Sequence, residues 1–242
     1  MTAPAGRARR ALVFGGSGAV GGAVVAALAA RGVRTAFTFH QGRDRAEALA
    51  RAHDARPLAV DLAQPAAIRA LVRALEQEGD GPDVFIHAAA ITRGRSLAAL
   101  SDDDWAAMQA VNVTSALVTA QALAPGLVAR GGGDLVFLGG LDRAQVVRAP
   151  VGYAATQGAL AALAMALGKE LGPAGVRANM VAVGILDDGL SRGADARVLD
   201  DYRRFSALRR LGTPAEVARA VVWLALDNRY MNGRVIPVNG GL

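Results

Sequence analysis

The sequence predicts an α/β fold: one doubly wound parallel sheet with helices on both faces. Three observations predict it. Short apolar runs that read as buried strands alternate with longer segments of helical periodicity along the whole chain. A glycine-rich turn, Gly15-Gly16-Ser17-Gly18-Ala19-Val20-Gly21-Gly22, joins the first strand to the first helix. No linker, repeat or low-complexity segment interrupts the alternation, so residues 1–242 read as a single domain.

The first strand is Ala11–Phe14, apolar throughout as a strand covered on both faces must be. The glycines after it permit a tight turn and let backbone N–H groups approach a ligand closely. The Ala19–Ala30 helix then points its positive end at that ligand, an arrangement suited to a dinucleotide pyrophosphate. The fold is therefore expected to be Rossmann-type, with Gly15, Ser17, Gly18, Val20 and Gly21 lining the phosphates.

Val33–Phe39 is the second strand. It ends at His40-Gln41-Gly42-Arg43-Asp44-Arg45, where an acidic residue would grip the 2′-hydroxyl of NAD. His40 and Arg43 stand there instead, and an arginine fork suits a 2′-phosphate, which favours NADP(H). The alternative is that Arg43 and Arg45 are solvated residues opening the Arg43–His53 helix. Pro57–Val60 is a short third strand, followed by Asp61-Leu62 and the Ala66–Glu78 helix. Asp83–His87 is the fourth strand. Ser101 caps the next helix, with Asp102, Asp103 and Asp104 in its first turn where the dipole favours acid. That helix carries Asn112 in its interior, a poor choice unless the residue is functional or bonded to a neighbouring loop. Gly131–Gly133 closes the region. Asp134–Leu138, the Val151–Leu171 helix, Val176–Val181, the Pro214–Leu226 helix and Arg234–Val238 complete the alternation. Ligands of such sheets sit beyond the carboxyl ends of the strands, which places the site at residues 15–21, 40–45, 61–62, 87–92, 139–148 and 183–192.

Composition excludes several classes. There is no cysteine, hence no disulfide, thiolate nucleophile or Cys-ligated metal, and the three scattered histidines make a His-based metal site improbable. The net charge of +6 is dispersed, with no basic block interleaved with aromatics, so no nucleic-acid partner is expected. An acidic carrier protein or a phosphorylated small molecule fits a mild positive field. The longest apolar run, Ala159–Leu167, is too short to cross a bilayer, and no signal-peptide pattern follows the basic start; a cytoplasmic protein with no membrane partner is expected. Lys169 is the only lysine among 27 basic residues.

Taken together, the order, length and motifs resemble the single-domain short-chain dehydrogenase/reductase family, most of all its 3-oxoacyl-carrier-protein reductases. The resemblance covers the whole chain. It rests on the glycine turn, Asp61-Leu62, Val84–Thr92, Val111-Asn112-Val113, Gly152-Tyr153-Ala154-Ala155-Thr156-Gln157, Gly175–Asn179 and the ending Asn232–Gly241. It implies that Tyr153 is the general acid and that Asn112 supports a proton-relay water. It further implies that Asp61, Leu62, Ala88, Ala89, Gly184 and Ile185 touch the cofactor, and that the chain assembles through the helices holding Asn112 and Tyr153. The substrate would be a small molecule or an acyl group on a carrier protein.

The resemblance breaks at two catalytic positions. The family's lysine, four residues after the tyrosine, is Gln157, and its serine is Gly140. An isolated tyrosine titrates near pH ~10, and a neutral glutamine supplies no field to lower that value. Lys169 cannot replace it from twelve residues along the helix, about 18 Å away. Gln157 can still hydrogen-bond ribose hydroxyls, whereas Gly140 offers no side-chain donor. Smaller departures are Phe14 for threonine, Ala19 for the middle glycine, His87-Ala88-Ala89-Ala90 for Asn-Asn-Ala-Gly and Val183-Gly184 for Pro-Gly. Asp142, Arg143, Asp187, Asp188 and His87 are candidate compensating groups, each with a plain alternative as loop charge or satisfied strand-end residue. Three functions follow as expectations: an atypical NADPH-dependent ketoreductase acting on a 3-oxoacyl or polyketide-like carbonyl; a catalytically deficient subunit paired with an active homologous reductase; or a non-redox dehydratase, isomerase or cyclase. The oligomer is accordingly expected to be a homodimer or homotetramer, or a hetero-oligomer.

Overall fold

A computed structural model of the protein describes residues 9–94, 96–140 and 149–242. Among these, seven parallel strands form one sheet: β1 (Arg10–Phe14), β2 (Arg34–Phe39), β3 (Arg56–Ala59), β4 (Val84–His87), β5 (Gly133–Gly139), β6 (Val176–Val183) and β7 (Val235–Val238). Their order is β3-β2-β1-β4-β5-β6-β7, which reverses direction between β1 and β4. That reversal is the switch point at which open α/β sheets bind ligands.

Alternation along each strand divides the core. Val13, Ile86, Val136 and Val181 face one side, where they pack with Val24, Val25 and Leu28 of α1 (Ala19–Ala29) and Val217 and Val221 of α8 (Pro214–Leu226). Leu12, Phe14, Phe85, Leu135 and Phe137 face the other side. There they meet α3 (Pro65–Gln77), α5 (Ser115–Ala129) and α6 (Val151–Leu171) through Ile68, Val72, Leu123, Leu127, Leu160 and Ala164. The period of two that marks a strand is thus the division between the two cores.

Three features differ from the sequence reading. The helix expected to carry Asn112 is two helices, α4 (Asp102–Gln109) and α5, joined by one π-helical turn over Ala110–Thr114. Such a turn rotates the side chains inside it relative to a continuous α-helix, and these turns recur at functional sites. A further helix, α7 (Ala196–Phe205), is absent from the sequence reading although Val198, Leu199, Tyr202 and Phe205 recur at helical spacing; it is started by the Asp195 carboxylate accepting from the Arg197 N–H. β6 also runs to Val183, past the expected end at Val181. α2 (Arg43–His53) matches its predicted bounds.

The Asp102–Ala129 and Val151–Ala174 stretches are long and apolar enough by composition to span a bilayer, although no single apolar run is; here both lay faces against the sheet.

At the amino end of β5, remote from the carboxyl edge, buried Asp134 binds Arg177 of β6 in a fork of two 2.8 Å bonds and accepts from Arg9 at 3.1 Å. Replacing this carboxylate leaves two half-buried guanidinium groups without it. Asp134→Ala is expected to lower unfolding stability by about 2 kcal/mol in urea titrations without changing cofactor affinity.

Candidate active site

The site begins at the turn after β1. Gly15 has φ +72°, a backbone conformation that side chains disfavour, and a β-carbon there would lie 2.8 Å from the Ala89 Cα. The turn therefore rests directly on Ala88 and Ala89 at the end of β4. Its amides are held from β2: the Gly15 N–H donates to Thr38 Oγ1 at 3.1 Å and the Gly16 N–H to the Thr38 carbonyl at 3.0 Å. A β-carbon on Gly21 would collide with the Gly15 carbonyl, so the helix also needs glycine to come this close. Gly18 caps α1 with no side-chain acceptor, which leaves the first-turn N–H groups beyond Ser17 for a ligand. The residues present fit a dinucleotide pyrophosphate.

Beyond β2, His40 and Arg43 are exposed. The Arg43 guanidinium lies 5.8 Å over the Phe39 ring, with only a loose 3.7 Å pairing to Glu47, so its fork is open to a phosphate. Asp61 sits 3.9 Å from His40 and accepts from the Ala63 N–H at 2.9 Å; neighbouring Leu62 is buried. On the far side, a β-carbon at Gly189 would lie 3.4 Å from the Ala19 Cβ, so the loop after β6 reaches the glycine turn. Gly184 is packed against the Tyr202 hydroxyl of α7, which donates to the Asn239 carbonyl at 2.6 Å. Ile185 accepts from the Gly212 N–H at 3.1 Å.

The second half of the site lies where β5 meets α6. Tyr153 leans over Gly140: a β-carbon on Gly140 would lie 3.0 Å and 3.1 Å from ring carbons of Tyr153 and still nearer its hydroxyl. Burial pushes the phenol up to about 12. Gln157 is buried beside it. Its Oε1 accepts the Gly140 N–H at 3.0 Å, and its Nε2 donates to Thr156 Oγ1 at 3.1 Å. Thr156 in turn donates to the Tyr153 carbonyl at 2.7 Å. Asn112, turned inward by the π-helical turn, accepts from the Ile91 N–H at 2.8 Å and donates to the Ile91 carbonyl at 2.9 Å and to Thr156 at 3.0 Å. The bond to a neighbouring loop, one of its two readings from sequence, is present.

Several candidates take other places. His87 is not at the site. It is fully buried among Phe14, Phe85 and Phe137, its Nε2 lies 2.7 Å from Ser115 Oγ, and Ser115 donates to the Val111 carbonyl. Burial drives its imidazole down to about 4, so it stays neutral and is no proton donor near neutral pH. Asp188 accepts from the Gly189 N–H and pairs with Arg192 at 2.8 Å, a loop-stabilising role, while Asp187 is exposed. Lys169 is exposed at the far end of α6. Leu141, Asp142 and Arg143 lie outside the described residues. Sequence reasoning missed Thr38, Thr156 and Tyr202. The first two lie inside segments already recognised, but a hydroxyl's partner is a neighbour in space; Tyr202 lies on the unforeseen helix.

The sequence model of a family described as enoyl-(acyl carrier protein) reductase matches residues 16–242. The 3-oxoacyl-[acyl-carrier-protein] reductase MabA of Mycobacterium tuberculosis is 29% identical over 235 residues, 97% of this chain and 92% of that protein. The corresponding reductase FabG of Escherichia coli is 27% identical over 240 residues, 96% of each chain. Among solved structures, a short-chain dehydrogenase from Burkholderia cenocepacia in complex with NADP is 31% identical, with a TM-score of 0.88 over 96% of this chain and 97% of that one. A blue fluorescent protein from a metagenomic library in complex with NADPH is 30% identical, with the same score and coverage.

The buried imidazole sets an acid limit on stability. An unfolded histidine binds a proton below pH ~6.5, whereas the folded one resists until about 4. Its contribution is therefore complete above ~6.5 and is lost as pH falls towards 4, at roughly 1.4 kcal/mol per unit. His87→Phe is expected to flatten this part of the stability-against-pH curve in denaturant titrations between pH 4 and 7.

Proposed function

The chain belongs to the short-chain dehydrogenase/reductase family, and on that premise we propose that it is an NADPH-dependent ketoreductase whose proton donor, Tyr153, works without a neighbouring lysine or serine. It is an oxidoreductase that uses NADP(H). Gly15, Ser17, Gly18, Val20 and Gly21 would hold the pyrophosphate, and His40 and Arg43 the 2′-phosphate. Asp61, Leu62, Ala88 and Ala89 would line the adenosine side, and Gly184 and Ile185 the nicotinamide side. When bound, the cofactor supplies the hydride.

The observation that carries this reading is the seat of Tyr153 against Gly140 at the carboxyl end of β5. A phenol held near 12 is a weaker acid than an ordinary tyrosine, but it is fully protonated at neutral pH and so always carries the proton to be given. A carbonyl oxygen becoming an alkoxide approaches the basicity of hydroxide, whose conjugate acid has a pKa of about 15.7. Proton transfer from Tyr153 to that oxygen is then downhill by several pKa units. The reverse reaction needs the phenolate, about one molecule in 10⁵ at pH 7. At pH 7 Tyr153 therefore stands in the protonation state that ketone reduction requires. A substrate bearing its own acidic hydroxyl, as a polyketide-like phenol does, lessens the demand on Tyr153. Its relatives point to 3-oxoacyl groups on an acyl carrier protein as the substrate class.

Assembly would use the small, exposed stripe of α6, Ala155, Gly158, Ala159, Ala162 and Ala166, with exposed Leu117 on α5, in a homodimer or homotetramer. The same stripe, together with the missing donor at Gly140, favours a second reading. In that reading the chain is a catalytically deficient subunit of a hetero-oligomer with an active homologous reductase; co-purification from the native host decides between them.

Tyr153→Phe is expected to lower turnover of a ketone panel at least 100-fold, with NADPH affinity by tryptophan fluorescence within twofold. Unchanged turnover would place proton delivery elsewhere, and absence of NADPH binding by the parent protein would end the oxidoreductase reading. Arg43→Ala is expected to weaken NADPH roughly tenfold more than NADH, measured by the same titration. Initial-rate measurements at pH 7 should find alcohol oxidation far slower than ketone reduction.

A further inference from the structure

Gln157 and Gly140 are not independent losses in this structure. The Gln157 Oε1 receives the Gly140 N–H at 3.0 Å, and the ring of Tyr153 fills the volume that a side chain at Gly140 would need. The two exchanges interlock through one backbone amide. We propose that Gln157 and Thr156 are positioning residues, a neutral clamp that holds the end of β5 so that the Tyr153 hydroxyl occupies the place a serine hydroxyl would otherwise take. This inference rests on the ketoreductase reading and deepens it, because one hydroxyl must then both orient the substrate carbonyl and protonate it.

The donor and acceptor inventory supports the clamp. The Thr156 hydroxyl has one donor and two acceptor positions. It donates to the Tyr153 carbonyl and accepts from Asn112 Nδ2 and Gln157 Nε2, so all three are filled. Asn112 extends the chain to both backbone groups of Ile91. Thr156, Gln157 and Asn112 are each 1% exposed. The result is a buried path from the loop after β4, through the π-helical turn and α6, to the end of β5, with no charged side chain in it. Position 157 must accept a hydrogen bond here. Lysine has three donors and no acceptor, so it cannot hold the Gly140 N–H. Serine at 140 meets the phenol, whose far end would have to move. Restoring the common residues should therefore damage this enzyme rather than improve it.

The test compares Gln157→Lys, Gly140→Ser, their double variant, Gln157→Met, Thr156→Val and Thr156→Ser. Readouts are kcat and KM for a ketone, the pH profile of kcat, NADPH affinity, and hydrogen exchange at the Gly140 amide. Gln157→Lys and Gly140→Ser should each lower kcat at least tenfold, with no new titration near pH 7. Thr156→Val should lower kcat about tenfold with NADPH affinity within twofold, and Thr156→Ser should recover most of it. Gln157→Met, which keeps the volume and replaces the amide oxygen with a weak thioether acceptor, should speed Gly140 exchange at least tenfold. A rise in kcat in Gln157→Lys or in the double variant, or unchanged kcat and exchange in Thr156→Val and Gln157→Met, overturns the proposal. If the parent protein reduces no ketone, the ketoreductase reading fails and takes the catalytic half of this inference with it. Gly140 exchange in the parent and in Gln157→Met then decides the clamp alone.

Discussion

Gly15 meets Ala88 and Ala89 so closely that no side chain fits between them, and that backbone approach sets the geometry of the whole carboxyl edge. It brings the end of β4 under the turn after β1, and Thr38 holds the same turn from β2. Three strand ends are thereby joined at the point where the strand order reverses, with the first amides of α1 facing outward. Where two backbones touch, the spacing is fixed by van der Waals contact between main-chain atoms rather than by side-chain rotamers, so a ligand that reads backbone N–H groups finds them preorganised.

The other half of the site is organised by hydrogen bonds between neutral groups. A lysine near a tyrosine acts through its field, which reaches several ångströms and tolerates some misplacement. A network of amides and hydroxyls acts only through contact, and each member must be within about 3 Å of the next. The chain from Ile91 through Asn112, Thr156 and Gln157 to Gly140 meets that condition at every link. Its cost is electrostatic: among the described residues no cation offsets the desolvation of Tyr153, and the phenol rises where a lysine would have lowered it. The site thus holds its proton donor by position rather than by a lowered pKa.

His87 obeys the same economy one layer deeper. Surrounded by three phenylalanines and bonded to Ser115, it is a polar residue kept neutral by its surroundings. It joins β4 to the start of α5, directly after the π-helical turn that presents Asn112. A titratable side chain at a strand end is therefore no guide to proton transfer when its imidazole points into the apolar face of the sheet.

Legible in the residues alone were the layered α/β architecture, the order of strands and helices, the glycine turn, and the positions of Tyr153, Gln157 and Gly140. Those features are local: period-two and helical patterns, a breaker, a motif spacing. Helix α7 was legible too, in Val198, Leu199, Tyr202 and Phe205 at helical spacing behind the Asp195 cap, and only its anchor on the Asn239 carbonyl needed the fold. The folded chain was needed to show that His87 is core, that Asn112 binds the Ile91 loop, that Thr156 is a hub, and that Gln157 is occupied by a backbone amide. Each of those outcomes depends on which group lies within hydrogen-bond reach after the chain has folded back on itself. Spacing along a strand or helix fixes the direction of a side chain, but its partner comes from another element, and only packing sets that distance.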